Sequence, residues 1–134
     1  MKSYFDSSVL VGSVLARHPH HKICTALLEQ IPDKISCAHA LAETFVTLTA
    51  TYKVPNDLAA RQALALREAV RIESLTLGDY ETAMTEARQR GVMGGGLYDL
   101  LHAVFARRHG AKRIFTLNVT DFRHVAPELE IAIF

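Results

Sequence analysis

Three acidic residues stand where the chain passes from one element to the next, and their type and placing could do chemistry. Asp6 follows the short β-prone run Lys2 to Phe5, Asp99 opens a helix behind Gly94-Gly95-Gly96, and Asp121 comes just past the apolar run Ile114 to Leu117. Open α/β sheets place their ligand sites at the carboxyl ends of strands. Carboxylates crowded there repel one another, and the usual compensation is a hard cation such as Mg2+ or Mn2+, which takes oxygen ligands. Singly, each acid has an ordinary structural explanation. With Gly96 as N-cap, Asp99 falls at the third helical position, where the helix dipole favours a carboxylate, while Asp6 and Asp121 read equally well as turn residues. Together they outline a candidate metal site.

The elements that must position these acids follow in alternation. Lys2 to Phe5 reads as a strand, and Ser7 or Ser8 can cap the helix suggested by Val9, Leu10, Val14 and Leu15. Pro19 breaks that helix, and Ile23, Leu27, Leu28 and Ile31 recur at helical spacing. Lys34 to Cys37 reads as a second strand, with a helix from about His39 to Tyr52. On that helix Leu41, Phe45, Leu48 and Tyr52 share one stripe, so periodicity alone turns Glu43 to solvent. Pro55 marks a break, Asn56 or Asp57 can cap, and Leu58 to Ala69 is a helix; Val70 to Leu75 is a third strand. A helix from about Asp79 to Arg90 ends at Gly91. The helix from Leu97 sets Leu97, Leu100, Leu101, Val104 and Phe105 on one face, with Asp99, His102, Ala103 and Ala106 opposite. Small residues on that second face predict a helix covered on both sides with Asp99 inward. Ile114 to Leu117 and Leu129 to Phe134 complete the strands, the latter at an edge after Pro127. Alternation of this kind implies a parallel sheet with helices on both faces.

Composition bounds the function. The 134 residues are sized for one domain, 1–134, and are 49% hydrophobic. Fifteen Lys and Arg against fourteen Asp and Glu leave a net charge of +1, so a polyanion would have to be met by a local patch. Arg107, Arg108, Lys112, Arg113 and Arg123 gather around the last helix and strand, either as phosphate contacts or as a solvated helix end that complements its dipole. Cys24 and Cys37 are too few for a disulfide framework and read as small buried hydrophobes in a reducing cytosol. His18, His20 and His21 lie near Cys24 but lack a second ligand pair, so a solvated connector is the better reading than a zinc site. No signal peptide and no membrane span is read, which points to a cytoplasmic protein. No phosphate-binding loop or dinucleotide glycine spacing is present. Ser8 stands where an aspartyl-phosphate phosphatase would want a second Asp, and Lys112 is poorly placed for a receiver domain.

Four segments in order carry a resemblance: Phe5-Asp6-Ser7-Ser8-Val9-Leu10, Ala42-Glu43-Thr44, Tyr98-Asp99-Leu100-Leu101-His102-Ala103 and Thr116-Leu117-Asn118-Val119-Thr120-Asp121-Phe122. Over nearly its whole length the chain resembles PIN domains, specifically VapC-type toxins of toxin-antitoxin pairs. The resemblance implies a PIN-like three-layer α/β/α fold whose central, mostly parallel sheet has four to five strands. It places the acidic site on Asp6, Glu43, Asp99 and the Asn118/Asp121 segment, and so overrules the wheel position of Glu43. Many members have an acid where this chain has Asn118, which leaves Asp121 to complete the site or Asn118 to coordinate through its carbonyl oxygen.

The chemistry so implied is Mg2+- or Mn2+-dependent hydrolysis of RNA phosphodiester bonds, with Asp6, Glu43, Asp99 and Asp121 as catalytic acids and these four with Asn118 as metal ligands. Ser7, Ser8 and Thr116 are candidates to orient them. The implied partners are RNA, a cognate antitoxin covering the acidic cleft, and a second copy of the chain. The apolar helices Ile23 to Ile31 and Leu41 to Tyr52 could form either the homodimer face or the antitoxin groove. The alternative, kept open by Asn118, is a PIN-like module that binds RNA or protein without turnover.

Overall fold

Strand β1 (Ser3–Phe5) is buried at all three positions, because it lies mid-sheet with helices over both faces. The computed structural model describes residues 1–132. Tyr4 of β1 pairs with Ile35 of β2 (Lys34–Cys37) on one side and with Ile114 of β4 (Arg113–Phe115) on the other. Beyond these lie β3 (Arg71–Glu73) and β5 (Glu130–Ala132), so the sheet order is β3-β2-β1-β4-β5 and every pairing is parallel. The order reverses about β1, and the crevice that such a switch point opens lies at the carboxyl ends of β1 and β4. Asp6 and Thr116 are the residues that follow those two ends.

Seven α-helices are defined among the described residues: α1 (Ser7–Val14), α2 (His21–Gln30), α3 (Ala38–Val46), α4 (Asn56–Ala65), α5 (Leu77–Ala87), α6 (Gly96–Arg108) and α7 (Val119–Val125). Their apolar faces meet the sheet in one core that includes Tyr4, Phe5, Leu10, Ile35, Leu100, Phe105, Ile114 and Phe122. A smaller cluster of Val11, Leu15, Leu48 and Ala59 is covered by Phe45, Tyr52 and Val54, so the predicted stripe of α3 packs as expected. Helix α6 is buried continuously from Leu100 to Ala106, as its two apolar faces require.

Several boundaries differ from the sequence expectation, each for a local reason. Asp6, not Ser7 or Ser8, caps α1, its carboxylate accepting the Val9 amide. The helix expected over 39–52 stops at Val46 and continues as a π-helical turn, Thr47–Thr51. Threonine hydroxyls there compete for helix carbonyls: Thr44 Oγ1 donates to Ala40 O and Thr49 Oγ1 to Phe45 O. Pro55 caps α4 without a side-chain bond, so neither Asn56 nor Asp57 has that role, and the helix tightens into a 3-10 turn at Leu66–Glu68. Helix α5 begins two residues before Asp79, because Thr76 and Asp79 form a capping box. Gly95 rather than Gly96 caps α6, which moves Asp99 to the fourth helical position, still in the first turn. Strand β4 lies one residue earlier at its start and two at its end than expected. Helix α7 occupies a stretch read only as a turn, with Asn118 at its N-cap. The final expected strand forms at the sheet edge as β5, and its residues 133–134 lie outside the described residues.

Candidate functional site

Asp6 is the fixed point of the crevice. Only 2% exposed, it accepts hydrogen bonds at Oδ1 from Ser8 Oγ (2.6 Å) and the Val9 amide (3.3 Å), and at Oδ2 from Thr116 Oγ1 (2.6 Å). Burial raises its carboxyl above the ordinary range, and the Ser8 and Thr116 bonds partly offset this. Those two hydroxyls also lace the β4–α7 loop to the site: Leu117 donates its amide to Ser8 Oγ (2.9 Å) and Asn118 donates its amide to Thr116 Oγ1 (2.8 Å).

Asp99 enters from the first turn of α6 and is half-buried. Its carboxyl is pushed up to about 6 by burial and by the negative charges of Asp121, Asp6 and Glu43, with His102 acting in the opposite sense. Burial is the largest cause, and the smaller contributions of Asp121, Asp6 and Glu43 act in the same direction. Asp121 stands in the first turn of α7 and, with Asp99, Thr120 and His124, lines an open cavity of about 520 Å³. Asn118 is exposed, and its side chain makes no hydrogen bond among the described residues.

Glu43 is half-buried, not solvent-facing as the helical wheel suggests. Its Oε1 accepts from His102 Nε2 at 2.7 Å, and Oε2 lies 3.9 Å from His39 Nε2. Burial alone would raise Glu43, but the bond and charge of His102 hold it below the usual range. His102 is itself buried, and although desolvation would lower it, its bonds to Cys37 and Glu43 raise it to about 10. His102 Nε2 meets Glu43 Oε1 and Nδ1 meets the Tyr4 hydroxyl, which in turn lies 3.2 Å from Cys37 Sγ. Tyr4 and Cys37 were outside the sequence expectation, as was any link from His102 to Glu43. The signal available was spacing: His102 follows Asp99 by three residues and shares its face of α6.

The basic cluster near the end of α6 is largely engaged within the protein. Arg107 pairs with Glu86 and Glu128, Arg108 with Asp79, and Arg113 packs over the Phe115 ring and reaches Ser3 Oγ. His18 and His21 are held by local bonds to the His20 amide and Gly12 O, consistent with a connector. Cys24 and Cys37 are both free and buried.

Among the described residues no three His, Cys, Asp or Glu side chains converge closely enough to cage a metal ion as they stand. The donor set nevertheless fits a hard divalent cation in kind. It consists of carboxylate oxygens whose mutual repulsion is already expressed at Asp99, and the bonds to Asp6 leave lone pairs free on both oxygens.

The sequence profile of the PIN domain family matches residues 3–127. No curated protein sequence matches this chain. Among solved structures, VapC20 of Mycobacterium tuberculosis, described as a Sarcin-Ricin loop cleaving toxin, is similar at 21% identity with a TM-score of 0.71, over 84% of this chain and 87% of that one. VapBC2 from Rickettsia felis, bound to a DNA fragment from their promoter, gives 18% identity and a TM-score of 0.71 over 100% of this chain and 99% of that chain. VapBC-1 from nontypeable Haemophilus influenzae gives 19% and 0.67 over 98% and 97%. At these identities the likeness establishes the three-layer α/β/α fold around a parallel sheet. No helix among the described residues is long and apolar enough to cross a membrane.

Proposed function

This chain belongs to the PIN domain family, and on that premise we propose that it is a Mg2+- or Mn2+-dependent endoribonuclease of the VapC toxin type. The observation that carries the reading is the placement of the acids: Asp6 is held by Ser8 and Thr116 at the switch point of the sheet, and Asp99 and Asp121 line one open cavity. Asp6, Asp99, Glu43 and Asp121 would hold the cation, with Asn118 able to contribute a carbonyl oxygen. When bound, such an ion lowers the pKa of a coordinated water and neutralises charge developing on the phosphate.

The protein's own share is placement. Ser8 and Thr116 fix both oxygens of Asp6, and His102, anchored by Tyr4, holds Glu43 at the edge of the crevice. Asp99 and Asp121 face the wider cavity through which a strand of RNA can approach. The proposed partners are a cognate antitoxin, seated over the acid cluster so as to neutralise it, and a second copy of the chain. Cytoplasmic action follows from an RNA substrate. A module that binds without turnover is the second reading, favoured by an amide at Asn118 and by the engagement of Glu43 with His102.

Incubation with RNA and Mg2+ or Mn2+ separates the two. Cleavage that is lost in EDTA and in Asp99→Asn supports the nuclease; binding without cleavage under every metal supports the module.

A further inference from the structure

A second cavity, of about 310 Å³, reaches the residues that hold Asp6: Ser8, which lines it, donates to the Asp6 carboxylate. Its lining includes Ser7, Ser8, Asn118, Thr47, His18 and Tyr52. Two of these tie it to the acids: Ser8 donates to Asp6, and the Asn118 backbone amide donates to the same Thr116 hydroxyl that donates to Asp6. Thr47 opens the π-helical turn that continues α3 four residues beyond Glu43. One cavity thus reaches Asp99 and Asp121, and the other reaches the residues that hold Asp6.

The π-helical turn contributes Thr47 and its C-cap Tyr52 to the lining of this cavity. In a regular α-helix, residues five apart differ by about 140° around the axis. Here the Tyr52 amide bonds to Thr47 O at 3.3 Å across the widened turn, which brings Tyr52 round beside Thr47. Tyr52 then stands 6.1 Å from the His18 ring, and the Arg17 guanidinium lies 5.7 Å from the Tyr52 ring centre.

From this we propose that the cavity between Tyr52, His18, Thr47 and Ser7 is a nucleobase subsite, which receives the base of a single-stranded RNA next to the phosphate held at the acids. The inference rests on the ribonuclease reading and deepens it, by giving that site a source of sequence preference. The chemistry of the lining selects the ligand. No carboxylate lines the cavity, which argues against a cation. Burial and the neighbouring His20 and His21 lower His18, which disfavours the charged ring that a phosphate would call for. The His20 amide donates to His18 Nδ1 at 3.0 Å, which leaves Nε2 as a donor. Aromatic rings, hydroxyls, a neutral imidazole and a side-chain amide together suit a planar, uncharged group with hydrogen-bonding edges. An unstacked base is such a group, and single-stranded RNA is recognised by stacking on aromatic rings and by bonds to base edges.

The test uses the full chain as Asp99→Asn in Ca2+, a hard cation that takes the same oxygen ligands, so that binding is read without cleavage. A short single-stranded oligoribonucleotide carrying 2-aminopurine is titrated, and fluorescence quenching and affinity are measured. Binding is expected to quench the probe, Tyr52→Leu to weaken affinity roughly ten- to hundredfold, as loss of one stacked base does, and an abasic oligomer to bind weakly and equally to both proteins. Thr47→Val, which keeps the packing of Tyr52, is expected to weaken base-dependent binding severalfold, and it decides the matter if circular dichroism shows Tyr52→Leu unfolded. An abasic strand bound as tightly as the natural one, or affinity unmoved by either substitution, overturns the subsite. Base-dependent binding through Tyr52 with no cleavage by the wild-type chain under any metal leaves the subsite standing and refutes the ribonuclease reading instead.

Discussion

Replacing Asp99 by Asn makes the metal-free protein more stable, even though the same change removes the proposed activity. Burial and the charges of Asp121, Asp6 and Glu43 raise the Asp99 carboxyl from 3.8 to about 6. A shift of about two units corresponds to roughly 3 kcal/mol of unfavourable free energy for the ionised form. Asp99 is only half-buried, so solvent screening reduces this to about 1–2 kcal/mol, and the dipole of α6 offsets about 0.5 kcal/mol more. The net gain expected for Asp99→Asn is about 1 kcal/mol at pH 7.5, or about 3–5 °C in Tm for a domain of this size. Because the folded pKa is raised, the acid carries no penalty below about pH 4, where it is protonated in both states. The penalty grows as pH rises through about 6 and is complete above that. Thermal melts in EDTA should therefore show a gap between variant and wild type that is full at pH 7.5 and closes toward pH 4. With Mn2+ present the order reverses, because the wild type gains more binding energy than the variant. A variant no more stable than wild type at pH 7.5, or a gap that does not change with pH, would refute the reasoning.

Other substitutions test the scaffold that holds the acids. Thr116→Val keeps the shape but leaves a buried oxygen of Asp6 and the Asn118 amide without their partner, and it should cost about 1–3 kcal/mol in urea unfolding. Gly12→Ala sets a methyl group 2.6 Å from Cys24 Sγ where α1 meets α2, so a loss of about 1–3 kcal/mol is expected, most of it recovered when Cys24→Ala is combined with it. Thr76→Ala removes one half of the capping box of α5 and should lower stability by about 1 kcal/mol in the same assay.

The sheet was legible in the sequence because strands buried on both faces are short apolar runs, and Lys34 to Cys37 was bounded to the residue. The positions of Asp6 and Asp99 were legible too, since an acid at a strand end or in a first helical turn is set by local order. Helix α7 was not: Val119 and Thr120 are β-branched, and seven residues offer too little periodicity to oppose that preference. Nor was the environment of Glu43. A wheel registers only the apolar side of α3, whereas Glu43 meets a buried histidine from another helix, 59 positions away in the chain. The π-helical turn was hidden for a similar reason, since it depends on which carbonyls the threonine hydroxyls take.

The central claim is that Asp6, Glu43, Asp99 and Asp121 together hold a catalytic divalent cation, and titration with Mn2+ followed by electron paramagnetic resonance tests it most directly. The wild-type chain should remove the free-ion signal with a saturable stoichiometry of one or two, and Asp6→Asn and Asp99→Asn should each weaken binding at least tenfold while remaining folded. Equal Mn2+ binding by the wild type and both variants, or none by the wild type, would contradict the account.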